Sequence, residues 1–309
     1  MATDDLDKNK AMRRQLMYNI FFPLLVILSF QLNAQQPVNI SLGLNYSSSQ
    51  KLYHNEPLLL TVTITNREAQ ENNRWNRAID RRLNEMDDLL KENIISAENY
   101  ENEKNQLNAV KRPVPSITLG SQDKPWSSLV KWKMINSNTG TEIVLPVTIL
   151  SNPFPESIAI LDEKGYYISY FGISPQDMKQ IRGASTWQLT ATMGSERSND
   201  IRLEIKEEIM PMAIAETEEM WLRIGQYYWH ANNAENTIQF ADRILKKNPL
   251  SLDGLSLKAD GLILQKSYLP ALEVFNKALT EYYKQNGVNS EPPEYLVESI
   301  AWIKKQLGQ

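Results

Sequence analysis

The sequence predicts a multidomain β + α chain: an antiparallel β-sandwich carrying an inserted helical hairpin, followed by a repeated helical array with a closing helix. Three observations carry that expectation. From Val38 to about Lys206 the dominant hydrophobic period is two, as in Val38, Ile40, Leu42 and Leu44 alternating with Asn39, Ser41, Gly43 and Asn45. Between Asn66 and Arg112 the period lengthens to three and four residues. Near the C-terminus a pattern recurs at an offset of 34 residues: Gly225 and Tyr228 are matched by Ala259 and Leu262, and Thr237, Ala241 and Ile244 by Ala271, Phe275 and Ala278.

The first element decides the compartment. Arg13 and Arg14 precede an apolar run from Ile20 to Phe30, which is too short to span a bilayer as a helix. Leu32, Asn33 and Ala34 then lead into Gln35 and Gln36. A basic start, a short apolar middle and a small residue before a polar stretch make a secretory signal, expected over 1–34 with cleavage after Ala34. The alternatives are an uncleaved anchor or a buried core helix. The run Leu-Asn-Ala-Gln-Gln resembles the export signals of Bacteroidota-type bacteria. No cysteine occurs in the 309 residues, so disulfides, thiolate metal sites and a cysteine nucleophile are excluded. The net charge is -4 and no Lys/Arg run marks a nucleic-acid or anionic-lipid patch.

The β region is expected over 35–207. After the alternating run that opens at Val38 comes Leu58 to Thr65, ending at Asn66. Further short runs rich in β-branched and aromatic residues follow at Ser128–Ile135, Glu142–Leu150, Ser157–Leu161, Tyr166–Phe171, Thr186–Met193 and Ile201–Ile205. Turn residues divide them, notably Asn138 and Gly140, Asn152 and Pro153, Gly165, and Asn199 with Asp200. Many short strands at close spacing argue for an antiparallel sandwich. Glu56 and Pro57 followed by Leu58–Asn66, and Ser185–Thr192 with the return strand Asn199–Lys206, resemble the edges of exported bacterial immunoglobulin-like domains. That resemblance implies a disulfide-free, immunoglobulin-like sandwich.

The hairpin is expected as an insertion over 67–111. Trp75, Ile79, Leu83, Met86 and Leu90 mark one helical face, and Ser96 is placed to cap a second helix with Tyr100, Leu107 and Val110 on its apolar side. The stretch Leu89–Leu107 resembles the small helical hairpins called SHOCT modules, with Asn93 where that family favours glycine. A cover packed on the sandwich is weighted above a projecting arm.

A connector is expected at 208–214 and the helical array over 215–309. Trp221, Leu222, Gly225 and Tyr228, with Pro249 after the second helix, resemble the opening unit of the tetratricopeptide family. Tyr268, Ala271, Phe275 and Ala278 match the second helix of its next unit. Gly225 and Ala259 are small because helices cross there, and Phe275 fills the space between. Pro292 and Pro293 start a closing helix with Tyr295, Ile300, Ile303 and Leu307 on its apolar side. The resemblance implies a partner-binding concave face lined by the first helix of each unit. On this chain those positions are Gln226, Trp229, His230, Asp260, Ile263 and Leu264.

Little points to chemistry. The two histidines, His54 and His230, are far apart, and no zinc-ligand spacing, nucleophile elbow or glycine-rich phosphate loop is present. The pairs Asp87/Asp88, Glu207/Glu208 and Glu218/Glu219 are neighbours whose side chains diverge on a helix. No cofactor, metal or nucleic acid is expected, and no membrane span after signal cleavage. The expected function is a non-enzymatic adaptor or scaffold of the bacterial cell envelope, in the periplasm or at the surface, docking a protein or a second copy of itself. The alternative is a glycan- or peptide-binding module acting through sandwich aromatics such as Trp126, Trp132, Tyr166, Tyr167 and Tyr170.

Overall fold

In the computed structural model, residues 38–44, 51–53, 56–144, 146–153, 156–181, 185–206 and 214–308 are described. The expected signal at 1–34, His54, and the connector up to residue 213 lie outside the described residues. The architecture is mixed, with β-sheets in the N-terminal part and helices in the C-terminal part.

Twelve strands are described: β1 (Val38–Leu44), β2 (Lys51–Tyr53), β3 (Leu58–Asn66), β4 (Ile117–Leu119), β5 (Lys131–Asn136), β6 (Glu142–Ile143), β7 (Thr148–Ile149), β8 (Ala159–Leu161), β9 (Tyr166–Ile173), β10 (Ser185–Met193), β11 (Glu196–Arg197) and β12 (Ile201–Lys206). One sheet runs β1-β3-β9-β7 and a second runs β2-β12-β10-β5-β6, with β11 paired to β10. Strands β4 and β8 form a separate pair. Every pairing is antiparallel except β2 with β12. The alternation seen in the sequence places Val38, Ile40, Leu42, Leu58, Leu60, Val62 and Ile64 inward against Trp187, Leu189, Ile201, Leu203 and Ile205 of the opposite sheet, in one shared core. Each such buried aliphatic side chain contributes about 1.5–3 kcal/mol. The run Glu142–Leu150, expected as one strand, is two: β6 lies in the second sheet and β7 in the first. Pro146 falls between them, where a residue without an amide proton cannot continue a ladder.

Helix α1 (Arg67–Lys91) starts directly after β3, and α2 (Ala97–Ala109) returns beside it. Asn66 is fully buried at the root. Its Oδ1 accepts from the Ala69 amide at 2.9 Å, while Nδ2 donates to the carbonyls of Pro115 and Leu161 at 2.9 and 3.1 Å. One side chain thus caps the helix and ties the hairpin's entry to its exit and to β8. Asn72 and Asn76 donate at 2.8 Å to the Pro113 and Arg112 carbonyls of the returning chain. Asn93 turns the chain with φ 59°, a left-handed conformation that asparagine tolerates. Ile79 and Met86 are buried as the helical period predicts, but Trp75 is 43% exposed. It donates to the Val110 carbonyl at 3.0 Å and carries the Arg112 guanidinium over its ring. The main contacts of α1 are with α2 and, at its base, β1. Ile79 and Met86 lie outside the sandwich core, and the main contact of α1 with a strand is with β1, so the hairpin is rooted at the sandwich and does not pack along it as the expected cover would.

After a short helix α3 (Pro175–Met178), the C-terminal part stacks α4 (Ile214–His230), α5 (Ala234–Lys247), α6 (Leu252–Leu264), α7 (Tyr268–Asn286) and α8 (Glu294–Gln306). The 34-residue offset is present in the backbone. Helices α4 and α6 end at His230 and Leu264, the left-handed turn residues are Asn232 and Lys266 (φ 57° and 60°), and α5 and α7 start at Ala234 and Tyr268. Gly225 is small for the reason expected: a Cβ there would meet Leu257 Cδ2 at 2.3 Å. Phe275, Ala259, Ala271 and Ala278 share one core with Leu296, Ile300 and Ile303 of α8. Leu296, not the expected Tyr295, is the inward residue of the closing helix.

Candidate functional site

From Val38 onward the chain forms a single compact unit, and α4 joins the two parts. Its residues Arg223, Tyr227 and His230, spaced by four and three, face the outer side of the first sheet. Leu59 and Gly172 are register partners on β3 and β9. Tyr227 packs with Leu59 and Leu150 over Gly172, where a Cβ would lie 2.5 Å from the ring. Arg223 makes a two-pronged ion pair with Glu56, at 2.8 Å for both Nε–Oε2 and Nη2–Oε1, and a third contact to Glu219 at 2.8 Å. Both Arg223 and Glu56 are almost wholly buried. Burial raises the Glu56 carboxyl above its ordinary value despite the opposing guanidinium. For Arg223, burial acts downward but Glu56 and Glu219 outweigh it and raise the guanidinium.

His230 is fully buried. Its ring stacks on Tyr170 with centroids 3.9 Å apart, and Nδ1 meets the Asn152 carbonyl oxygen. Asn152 completes the join: its amide donates to the His230 carbonyl at 2.9 Å and its Nδ2 to the Trp229 carbonyl at 3.1 Å. Burial lowers the His230 pKa to about 4, so the imidazole is neutral at pH 7 and Nδ1 carries the proton given to Asn152. His230 was expected on a partner-binding face. That placement is corrected: the end of α4 meets the loop after β7, and the residue binds this chain's own sandwich.

The other five expected residues do come together. Two adjoining hollows of about 410 and 300 Å³ share Trp229 and Asp260. Helix α4 contributes Leu222, Gln226 and Trp229; α6 contributes Asp253, Ser256, Leu257, Asp260, Ile263 and Leu264; α8 contributes Tyr295, Glu298, Ser299 and Trp302. Positions 295, 298, 299 and 302 form one stripe of α8 by helical spacing. The groove is therefore lined by every second helix of the stack, with α5 and α7 behind, and in the smaller hollow also by Asn152 of the loop after β7. Sequence reasoning missed the α8 wall, where Tyr295 and Trp302 are 46% and 45% exposed. Ser256 Oγ and Tyr295 Oη lie 3.4 Å apart across it.

The charged residues lining the groove, Asp253, Asp260 and Glu298, are all acidic. Asp260 is half-buried at the seam of the two hollows, and desolvation alone raises its carboxyl to about 7. Desolvation also raises Asp253, although that side chain stays open to solvent. Burial raises the Tyr295 phenol, and Asp253 and Asp260 add to the effect against Ser256.

A third hollow lies on the flank of α1, lined by Gln70, Asn73, Arg74, Arg77, Arg81 and Glu163, with the three arginines exposed. The sandwich aromatics do not form one exposed surface. Trp126 is buried, Trp132 packs edge-on to Phe171 at 5.0 Å, Tyr170 lies under His230, and Tyr166 is exposed. Among the described residues no cluster of His, Asp and Glu is arranged to hold a metal ion, and no helix is long and apolar enough to cross a membrane.

No protein-family model matches the chain, and no curated protein matches it. Among solved structures it is similar to the crystal structure of AggA, the major subunit of aggregative adherence fimbriae type I from Escherichia coli. The match has 10% identity over 56% of this chain and 95% of that chain, with a TM-score of 0.22.

Proposed function

We propose that this chain is an exported, non-enzymatic adaptor of the bacterial cell envelope that docks a protein partner in the groove between α4, α6 and α8. Helices α4–α7 are read as two tetratricopeptide units with α8 as their closing helix, and the sheets as an immunoglobulin-like sandwich that holds the first unit. Export rests on the basic, apolar and small-residue order within 1–34. The observation that carries the docking role is the open groove with Trp229, Tyr295 and Trp302 on its walls. Aromatic side chains half-open to solvent supply large contact area at little conformational cost and dominate many interfaces. The partner is a protein of the envelope or a second copy of the chain.

The test is a cross-linked pull-down from envelope extract with the wild-type protein and a Trp229→Ala variant of matched thermal stability. The reading expects at least one recovered protein to be lost, or reduced about tenfold, in the variant. Recovery of the same proteins at the same yield with both forms overturns it.

A further inference from the structure

We infer that the segment docked in this groove carries a lysine or arginine, whose cation sits at Asp260 beside the Trp229 ring, flanked by apolar residues that lie against Tyr295, Trp302 and Ile263. The inference rests on the docking role proposed above and names the chemistry of the occupant.

Three features of the groove lead to it. Its charge is of one sign: Asp253, Asp260 and Glu298 line it, and no Lys, Arg or His is among its lining residues. The basic side chains of α4 and α6 nearest to it are used elsewhere, Lys258 on Asp242 at 2.8 Å and Arg223 on Glu56. The carboxylate at the seam of the two hollows, Asp260, has no hydrogen-bond or ion-pair partner among the described residues, and desolvation is the sole cause of its raised pKa. A partly desolvated carboxylate without a counter-ion is unfavourable for the folded chain and favourable for a cation that arrives later. Finally, the residue that shares both hollows with Asp260 is a tryptophan, the ring with the strongest attraction for a cation over its face. Apolar residues on either side of the cation suit the remaining walls, Leu222, Ile263, Leu264 and Trp302.

The experiment pans a display library of random twelve-residue peptides on the purified protein, then measures selected peptides by fluorescence polarisation. Three proteins are compared, wild type, Asp260→Asn and Trp229→Ala, each checked for an unchanged far-ultraviolet spectrum. The expected result is a set of peptides containing Lys or Arg next to apolar residues, weakened about tenfold by Asp260→Asn and about tenfold or more when the cation is replaced by methionine. Peptides that bind through Trp229 but carry no cation, or that ignore Asp260→Asn, overturn the cation inference and leave the docking role standing. A selection in which every binder tolerates Trp229→Ala overturns both.

Discussion

Helix α4 presents two faces one residue apart, and they are built on opposite terms. Arg223, Tyr227 and His230 look toward the sheet, while Leu222, Gln226 and Trp229 look into the groove. On the sheet side the polar groups are answered. Arg223 has Glu56 and Glu219, and the His230 Nδ1 has the Asn152 carbonyl. On the groove side the carboxyl of Asp260, the 34-residue counterpart of Gln226, is desolvated and has no ion-pair partner among the described residues. A buried charge that is paired holds two parts of one molecule in register. A desolvated charge that is unpaired stabilises nothing in the folded chain and has a use only when something else supplies the counter-charge. The same helix thus serves as an internal joint on one side and as an open wall on the other.

The largest break in that comparison is at the joint. Arg223→Met leaves the Glu56 carboxylate enclosed without its partner, and the expected loss is about 3–5 kcal/mol in urea unfolding. Replacing both, Glu56→Leu with Arg223→Met, recovers most of it, because the unsatisfied charge has gone. Losses that simply add would show that the pair is not coupled.

The second break is by acid. The His230 pKa is lowered to about 4 in the fold against an unfolded value near 6.5, so between those pH values the unfolded chain binds more protons. Stability contributed by the neutral ring is therefore present in full above pH 6.5 and falls as pH drops toward 4, by about 3 kcal/mol. Asp260 slopes the other way over the whole of this range, so unfolding is compared at pH 7 and pH 4.5 in an Asp260→Asn background. His230→Phe, which keeps the stack on Tyr170, should flatten the slope. An unchanged slope would place the titration elsewhere.

The contrast also explains what could be read from the residues alone. The period of two, the hairpin and the 34-residue recurrence are local patterns, and each is found where the sequence puts it. The recurrence was legible because small residues are forced where helices cross, as Gly225 against Leu257 shows. It reaches further than expected, to the left-handed turn residues, but the second of these is Lys266, a residue type that gives no turn signal. Five of the groove residues were named through the tetratricopeptide resemblance, which points to one face of the first helix of each unit. The wall from α8 was not, since the closing helix was read only for its apolar side and Trp302 fell outside that stripe. The joint was invisible for another reason: Arg223 and Glu56 are 167 residues apart, and neither local period nor spacing pairs them. One signal did exist. Leu58, Leu59 and Leu60 are consecutive and all fully buried, and an unbroken apolar run in a strand implies cover on both faces. The cover over Leu59 is α4, which is why His230 was assigned to the wrong surface.

The smallest effect is the sharpest test of the open side. Asp260 has a folded pKa of about 7 against an unfolded value near 3.9, so its contribution runs opposite to that of His230. The folded chain keeps this carboxyl protonated where the unfolded chain has ionised it. Stability is therefore full below pH 4 and is lost as pH rises toward and through 7. Asp260→Asn keeps the shape and removes the ionisation, so the variant should be more stable than wild type at pH 8, on the order of 2 kcal/mol once solvent contact is allowed for, and equal to it at pH 4. A gain of that kind from a single isosteric change means that the native residue is kept at the expense of stability, as is common at binding sites. If Asp260→Asn were instead destabilising at pH 8, the carboxylate would have a partner within the fold. The groove would then resemble the joint on the other face of α4, a satisfied internal surface with no place for an incoming cation.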